Sequence, residues 1–147
     1  MLEITEVNIS PNLPLIGKDL DAEATFNSDV SANQTDLLAG TLMIVTEGAL
    51  REMVKAPALP VAALPVNQFV GILAADSYAV VPAANRPGMI YRKGTFIRST
   101  VNEINGMASG ANAGLALAPI VPGDATDVFL MGYGIHLEES YDESALG

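Results

Sequence analysis

The sequence predicts an all-β fold, a small barrel or sandwich of short strands with an extended N-terminal arm. Three observations carry that expectation. Short apolar runs, several of them β-branched, recur at spacings of about 8–12 residues, as in "LMIV" and "QFVGIL". Turn-forming residues punctuate them, 13 Gly and 9 Pro in 147 residues. No long segment sustains the 3.6-residue apolar period of an amphipathic helix.

Residues 1–36 hold seven Asp or Glu and one base, Lys18, with Pro11, Pro14 and Gly17 among them. A stretch so acidic buries too little apolar surface to fold alone, so it reads as an extended arm. Within it "LEITEVNIS" alternates as a strand does. Leu2, Ile4, Val7 and Ile9 would anchor it on a neighbour's open sheet edge. A short helix is open around Leu20–Phe26.

The barrel domain is expected over residues 37–137. "GTLMIVTEGALREMV" reads as a strand, a turn at Glu47-Gly48 and a second strand from Leu50 to Val54. In "KAPALPVAALPVNQ", Pro57, Pro60 and Pro65 forbid a helix and a central strand, which leaves an apolar extended loop. Residues 68–73 are the next strand, and Tyr78–Val81 a further one. "PGMIYRKGTFIRSTVN" reads as a hairpin, with Met89–Arg92 and Thr95–Val101 about a Lys93-Gly94 turn. "NGMASGANAG" is a small-residue loop, and "LALAPIV" and "DVFLMGYGIHL" complete the barrel. An acidic tail takes residues 138–147. "ALPVNQFVGILAADSY" and "DVFLMGYGIHLEESY" echo one another around Gly71 and Gly134, and Ala-Gly pairs at Gly40 and Gly114 extend the echo. That suggests a pseudo-repeat whose glycines mark bends or close approaches.

Composition narrows the function. A formal net charge of −10 repels nucleic-acid backbones. No run of 18 apolar residues is present to cross a membrane, and "MLEITEVNIS" has acids where a secretory leader would have bases. The chain has no Cys and one His, which removes disulfides and thiolate metal sites. His136 alternates between Ile135 and Leu137 without a Gly-x-Ser-x-Gly elbow anywhere. Gly106, Gly110 and Gly114 lack the Gly-Lys-Ser/Thr of a phosphate loop. Glu138, Glu139, Asp142 and Glu143 could gather a hard cation, but read more simply as a solvated tail. Asp124 and Asp127 look like turn residues. No catalytic, cofactor-binding or metal-ligating residue is therefore expected, and the chain reads as a non-enzyme.

Two features point to interfaces instead. Arg92, Lys93 and Arg98 put three of seven bases on one predicted hairpin. They would dock on acidic protein surface or pair within the assembly. Should Arg98 point inward, it must meet a carboxylate. The uncharged stretch "APALPVAALPV", with Pro57, Leu59, Pro60, Leu64 and Pro65, would either close one barrel end or cover a partner.

The order of Ala-Gly strand, "QFVGILAAD", "PGMIYRKGTFIR" and a second Ala-Gly strand resembles the small β-rich decoration (cement) proteins of tailed-phage heads. The likeness covers roughly residues 37–137. The Pro-rich insert at 56–65 and the acidic lead-in depart from it. The resemblance implies a barrel, often trimeric, seated on capsomer junctions with no active site or cofactor. The expected function is thus a structural virion protein, made in the host cytoplasm, that bridges neighbouring subunits of the major capsid protein. The alternatives are a small-molecule-binding or cupin-like β-barrel enzyme, or a tail or head-tail connector protein.

Overall fold

The computed structural model describes residues 23–48, 51–57, 63–107 and 116–139. They form six strands and two short helices: β1 (Glu23–Val30), β2 (Leu42–Thr46), β3 (Glu52–Lys55), β4 (Gln68–Leu73), β5 (Arg86–Ile97), α1 (Arg98–Asn105), α2 (Ala125–Met131) and β6 (Ile135–Glu138). The strand order is β1-β3-β2-β4-β5, and β1 also pairs with β5, so five strands close into a barrel. The sixth, β6, runs parallel to the far half of β5 from Gly94↔Ile135 to Ile97↔Glu138.

The core has two layers. Val30, Met43, Val45, Met53, Phe69, Leu73 and Ile90 form one cluster. Every barrel strand contributes to it, so it is the filled lumen. Leu42, Ile44, Val70 and Ile72 come from the opposite faces of β2 and β4. They pack against Phe96, Val101, Leu130 and Leu137, beneath α1, α2 and β6. Burial on both faces explains why "LMIV" and "FVGIL" are continuous apolar runs and not alternating ones. Each fully buried Leu, Ile or Met contributes about 1.5–3 kcal/mol relative to exposure. Gly71 lets β4 and β5 approach: a Cβ there would lie 2.6 Å from Ile90 Cδ1 and 3.0 Å from the Tyr91 carbonyl.

The barrel confirms the all-β expectation, but several elements differ. Lys93-Gly94 is no hairpin turn. Residues 86–97 form one long strand, and Gly94 holds φ +146°, a backbone angle side chains disfavour, within it. The near half of β5 pairs with β1 and β4, and the far half leaves them for β6. The predicted second hairpin strand, Thr95–Val101, ends at Ile97 and turns directly into α1.

The sheet also starts earlier than residue 37. Where a helix was open over Leu20–Phe26, β1 begins at Glu23 and pairs antiparallel with β5 from Glu23↔Lys93 to Val30↔Arg86. The last part of the expected arm is therefore a barrel strand. "LEITEVNIS", with Leu2, Ile4, Val7 and Ile9, lies outside the described residues.

"DVFLMGYGIHL" divides into α2, a turn at Gly134 (φ +84°) and β6. Its counterpart around Gly71 is an unbroken strand, so the two stretches do not form a structural repeat. Residues 116–121 carry no ladder, and Tyr78–Val81 is an extended loop beside a single Leu37↔Ser77 bridge. Glu138 ends β6, so the predicted tail begins inside the fold.

Candidate functional site

The three bases expected on one patch are separated by the run from β5 into α1. Arg92 is exposed. Its guanidinium lies 4.1 Å from the centroid of the Phe69 ring and 3.7 Å from Glu47 Oε2. Lys93 is also exposed, and its Cβ packs against the bare Cα face of Gly134. Arg98 opens α1 and is buried. It donates from Nη1 to Glu139 Oε2 at 3.0 Å and from Nη2 to the Leu137 carbonyl at 3.0 Å. The Asp127 carboxylate lies 3.4 Å from Nη2. Pointing inward, Arg98 meets the carboxylates that burial demands. It ties α1 to α2 and to the end of β6, so the surface basic patch is Arg92 and Lys93 without it.

In the Pro-rich stretch, Pro57 and Pro65 are exposed and Leu64 is half-buried against the outer core layer. Leu59 and Pro60 lie outside the described residues. The Pro65 carbonyl accepts from Gln68 N–H at 2.9 Å, which turns the chain into β4.

The structure adds polar residues that sequence reasoning passed over. Lys55, at the end of β3, is 3 % exposed. Among the described residues its Nζ makes one hydrogen bond, to Asn105 Oδ1 at 3.4 Å, and burial lowers its pKa below the usual lysine value. The same Asn105 oxygen accepts from Leu42 N–H at 2.8 Å, and Asn105 Nδ2 donates to the carbonyls of Gly40 and Val101. Asn105 thus fastens the last turn of α1 to the start of β2.

Arg86 opens β5 and is buried too. Nε donates to Ser77 Oγ at 2.7 Å, Nη1 to the Gln34 carbonyl at 3.0 Å, and Nη2 to the Thr35 carbonyl at 2.6 Å. Burial lowers its pKa, and the charge of Asp36 opposes that shift.

Above Arg86, two loops cross. Leu37 and Ser77 exchange backbone bonds of 2.8 Å. Asp76 Oδ1 accepts from Ala39 N–H, and Asp36 Oδ1 accepts from Ala79 N–H. Asp76 Oδ2 accepts the Tyr78 hydroxyl at 3.0 Å, and that bond, then the carboxylate's charge, raises the phenol's pKa. The exit is tied as well: Ala32 N–H donates to Asn85 Oδ1, and Asn85 Nδ2 donates to Glu52 Oε2. Between these ties residues 78–84, "YAVVPAA", are exposed throughout. The residue pattern hides the ties, because every partner except that of Tyr78 is distant in sequence. From the sequence alone, Tyr78–Val81 reads as a strand.

Asp124 and Asp127 do more than turn the chain. Asp124 caps α2, accepting from Asp127 N–H at 2.9 Å, and backbone donors led by Val121 hold its pKa below the usual carboxylate range. His136 is exposed on β6. Among the described residues no three of His, Asp and Glu gather as metal ligands. What this arrangement does chemically is position backbone and present surface. No family model matches the chain, and neither a curated protein nor a solved structure proves similar to it.

Proposed function

We propose that this chain is a structural binding protein of a phage head, attached to the outer capsid surface and bridging neighbouring subunits of the major capsid protein. The observation that carries the reading is the placement of polar and apolar groups. Arg86, Arg98 and Asn105 are turned inward to fasten loops and helices, while apolar side chains such as Val81 and Val66 stand in solvent on anchored loops. Apolar groups held outward in this way suit a partner surface. The lumen, where a ligand-binding barrel would hold its small molecule, is filled by Val30, Met43, Met53 and Phe69.

In this reading the barrel is a rigid peg. Packaged DNA presses capsid subunits apart, and a protein that binds only the assembled junction favours the assembled state by mass action. Self-association as a cyclic trimer would match the local symmetry of such junctions. Arg92 and Lys93 supply a small positive patch for acidic capsid surface.

The test is to add the purified chain to heads that lack it and measure the temperature at which DNA is released. A rise that saturates with added protein supports the reading. An unchanged release temperature, with the chain left in the supernatant on sedimentation, refutes it.

A further inference from the structure

The loop of residues 78–84 holds large apolar side chains in water: Val81 is 97 % exposed, Tyr78 57 % and Val80 45 %. Ser77 and Asn85 fix its two ends, and Tyr78 is tied to Asp76 within it. A loop already held this way loses little conformational entropy when a partner covers it. Beside it opens a cleft of about 750 Å³. Pro87 and half-exposed Met89 line its floor, Ala75 and Asp76 one side, and Arg51 and Gly48 contribute from the β2–β3 turn. Asp29, cross-strand from Pro87, lines it too.

The charge around this face decides what fits it. Asp36, Asp76 and Glu52 bond directly to the loop or its flanks, and Asp29 lies in the cleft. Among the described residues these four carboxylates stand with one exposed guanidinium, Arg51, and with the buried Arg86, which Asp36 faces, so carboxylates remain in excess. A second copy docking face to face would bring the same acidic rim and be repelled. A partner with an apolar centre and basic ends meets both the loop and the rim.

We propose that residues 78–84 and the adjoining cleft are a docking face for a protein segment whose centre is apolar and whose ends carry lysine or arginine. The inference deepens the head-binding reading and rests on it: the segment would belong to the capsid subunit. Arg92 and Lys93 would make a separate contact.

The experiment uses the full chain, ¹⁵N-labelled, and two synthetic peptides of valine and leucine, one ending in lysines and the other in glutamates. The lysine peptide is expected to shift amides of residues 29, 36, 51–52 and 75–89, with affinity falling at least several-fold as salt rises from about 50 to about 500 mM. Val81→Asp, at a fully exposed position, should leave the fold intact and remove those shifts. Equal binding of the glutamate peptide, or shifts confined to other faces, would overturn the proposal. So would shifts at this face that depend only on protein concentration, since a second copy would then be the occupant. Sedimentation with phage heads separates the two claims. If Val81→Asp binds heads as tightly as the wild type, this face is wrong and the head reading stands. If neither protein binds heads while the lysine peptide still docks here, the face stands and the head reading falls.

Discussion

Replacing Lys55 with methionine should stabilise the barrel. Lys55 is 3 % exposed and its ammonium carries three donors, yet among the described residues it finds a single acceptor, Asn105 Oδ1, at the long distance of 3.4 Å. Removing it leaves no orphan, because that oxygen still accepts from Leu42 N–H at 2.8 Å. Methionine has nearly the lysine's length and flexibility, so the space stays filled. Replacing buried ion pairs by apolar side chains of similar volume is neutral or stabilising by about 1–4 kcal/mol, and the sparse bonding of Lys55 supports a gain of about 1–2 kcal/mol at pH 7.

The pH dependence sharpens the test. Burial lowers the folded-state pKa of Lys55, so between that value and about 10.4 the unfolded chain binds the extra proton. The penalty is therefore fully present below the folded pKa and gone above the unfolded one, so the wild type gains stability as pH rises through this window. Lys55→Met lacks that gain, and its advantage over the wild type should shrink toward pH 10. Urea unfolding of both proteins at pH 7 and pH 10, with equal m-values, measures this. A variant less stable than wild type by 1 kcal/mol or more at pH 7 would refute the reasoning, and so would an advantage that grows with pH.

Asn105→Ala should be severe, about 3 kcal/mol or more by urea unfolding, because it strips partners from Leu42 N–H, the Gly40 carbonyl and Lys55 together. Asp127→Ala should cost about 3–5 kcal/mol, since Arg98 stays buried. Glu139→Gln on the same guanidinium should cost under about 1 kcal/mol, because the Glu139 side chain is 81 % exposed; thermal melts of the pair give the contrast. Gly71→Ala should cost about 1–3 kcal/mol, because the added methyl meets the Tyr91 carbonyl on a neighbouring strand. Reversing Arg92 and Lys93 to glutamate should weaken head attachment in a salt-dependent way, measured by sedimentation. It should also lower the melting temperature slightly, since Arg92→Glu faces Glu47 and uncovers the Phe69 ring.

The strands in the middle of the chain were legible because burial on two faces writes continuous apolar runs. "LMIV" and "FVGIL" can be read with no knowledge of their neighbours. The helices were not, for a physical reason. At eight and seven residues each is too short to print a period, and the residue before α1, Ile97, offers no side-chain cap. The cap of α2 was in view, as Asp124 three residues before Asp127, but it was read as turn chemistry. Lys-Gly suggested a hairpin because glycine marks turns. Gly94 serves instead to re-aim one strand from the barrel toward β6. The inward Arg98 followed from charge physics once its direction was known, yet its partners, Asp127 and Glu139, could be named only from the fold. The same holds for Arg86, whose backbone acceptors no side-chain pattern records.

The closure of the barrel between β1 and β5 sets the order in which this chain can fold. β2, β3 and β4 are near neighbours in sequence and pair locally, with β2 between the other two. Strand β1 can join β3 early, through Asp29↔Glu52 and Val30↔Met53, but its other edge must wait for β5: Val30 has to find Arg86, and Glu23 has to find Lys93. Such distant pairing is slow, because a long loop must close before any contact rewards it. On the ribosome the sheet will therefore stand with two raw edges, one on β1 and one on β4, until β5, the last of the five to be made, bridges them. During that interval the β5 of another chain fits the gap equally well. At high expression this fold will trade β5 between copies, and lowering the expression level or the temperature will favour the self-closed form.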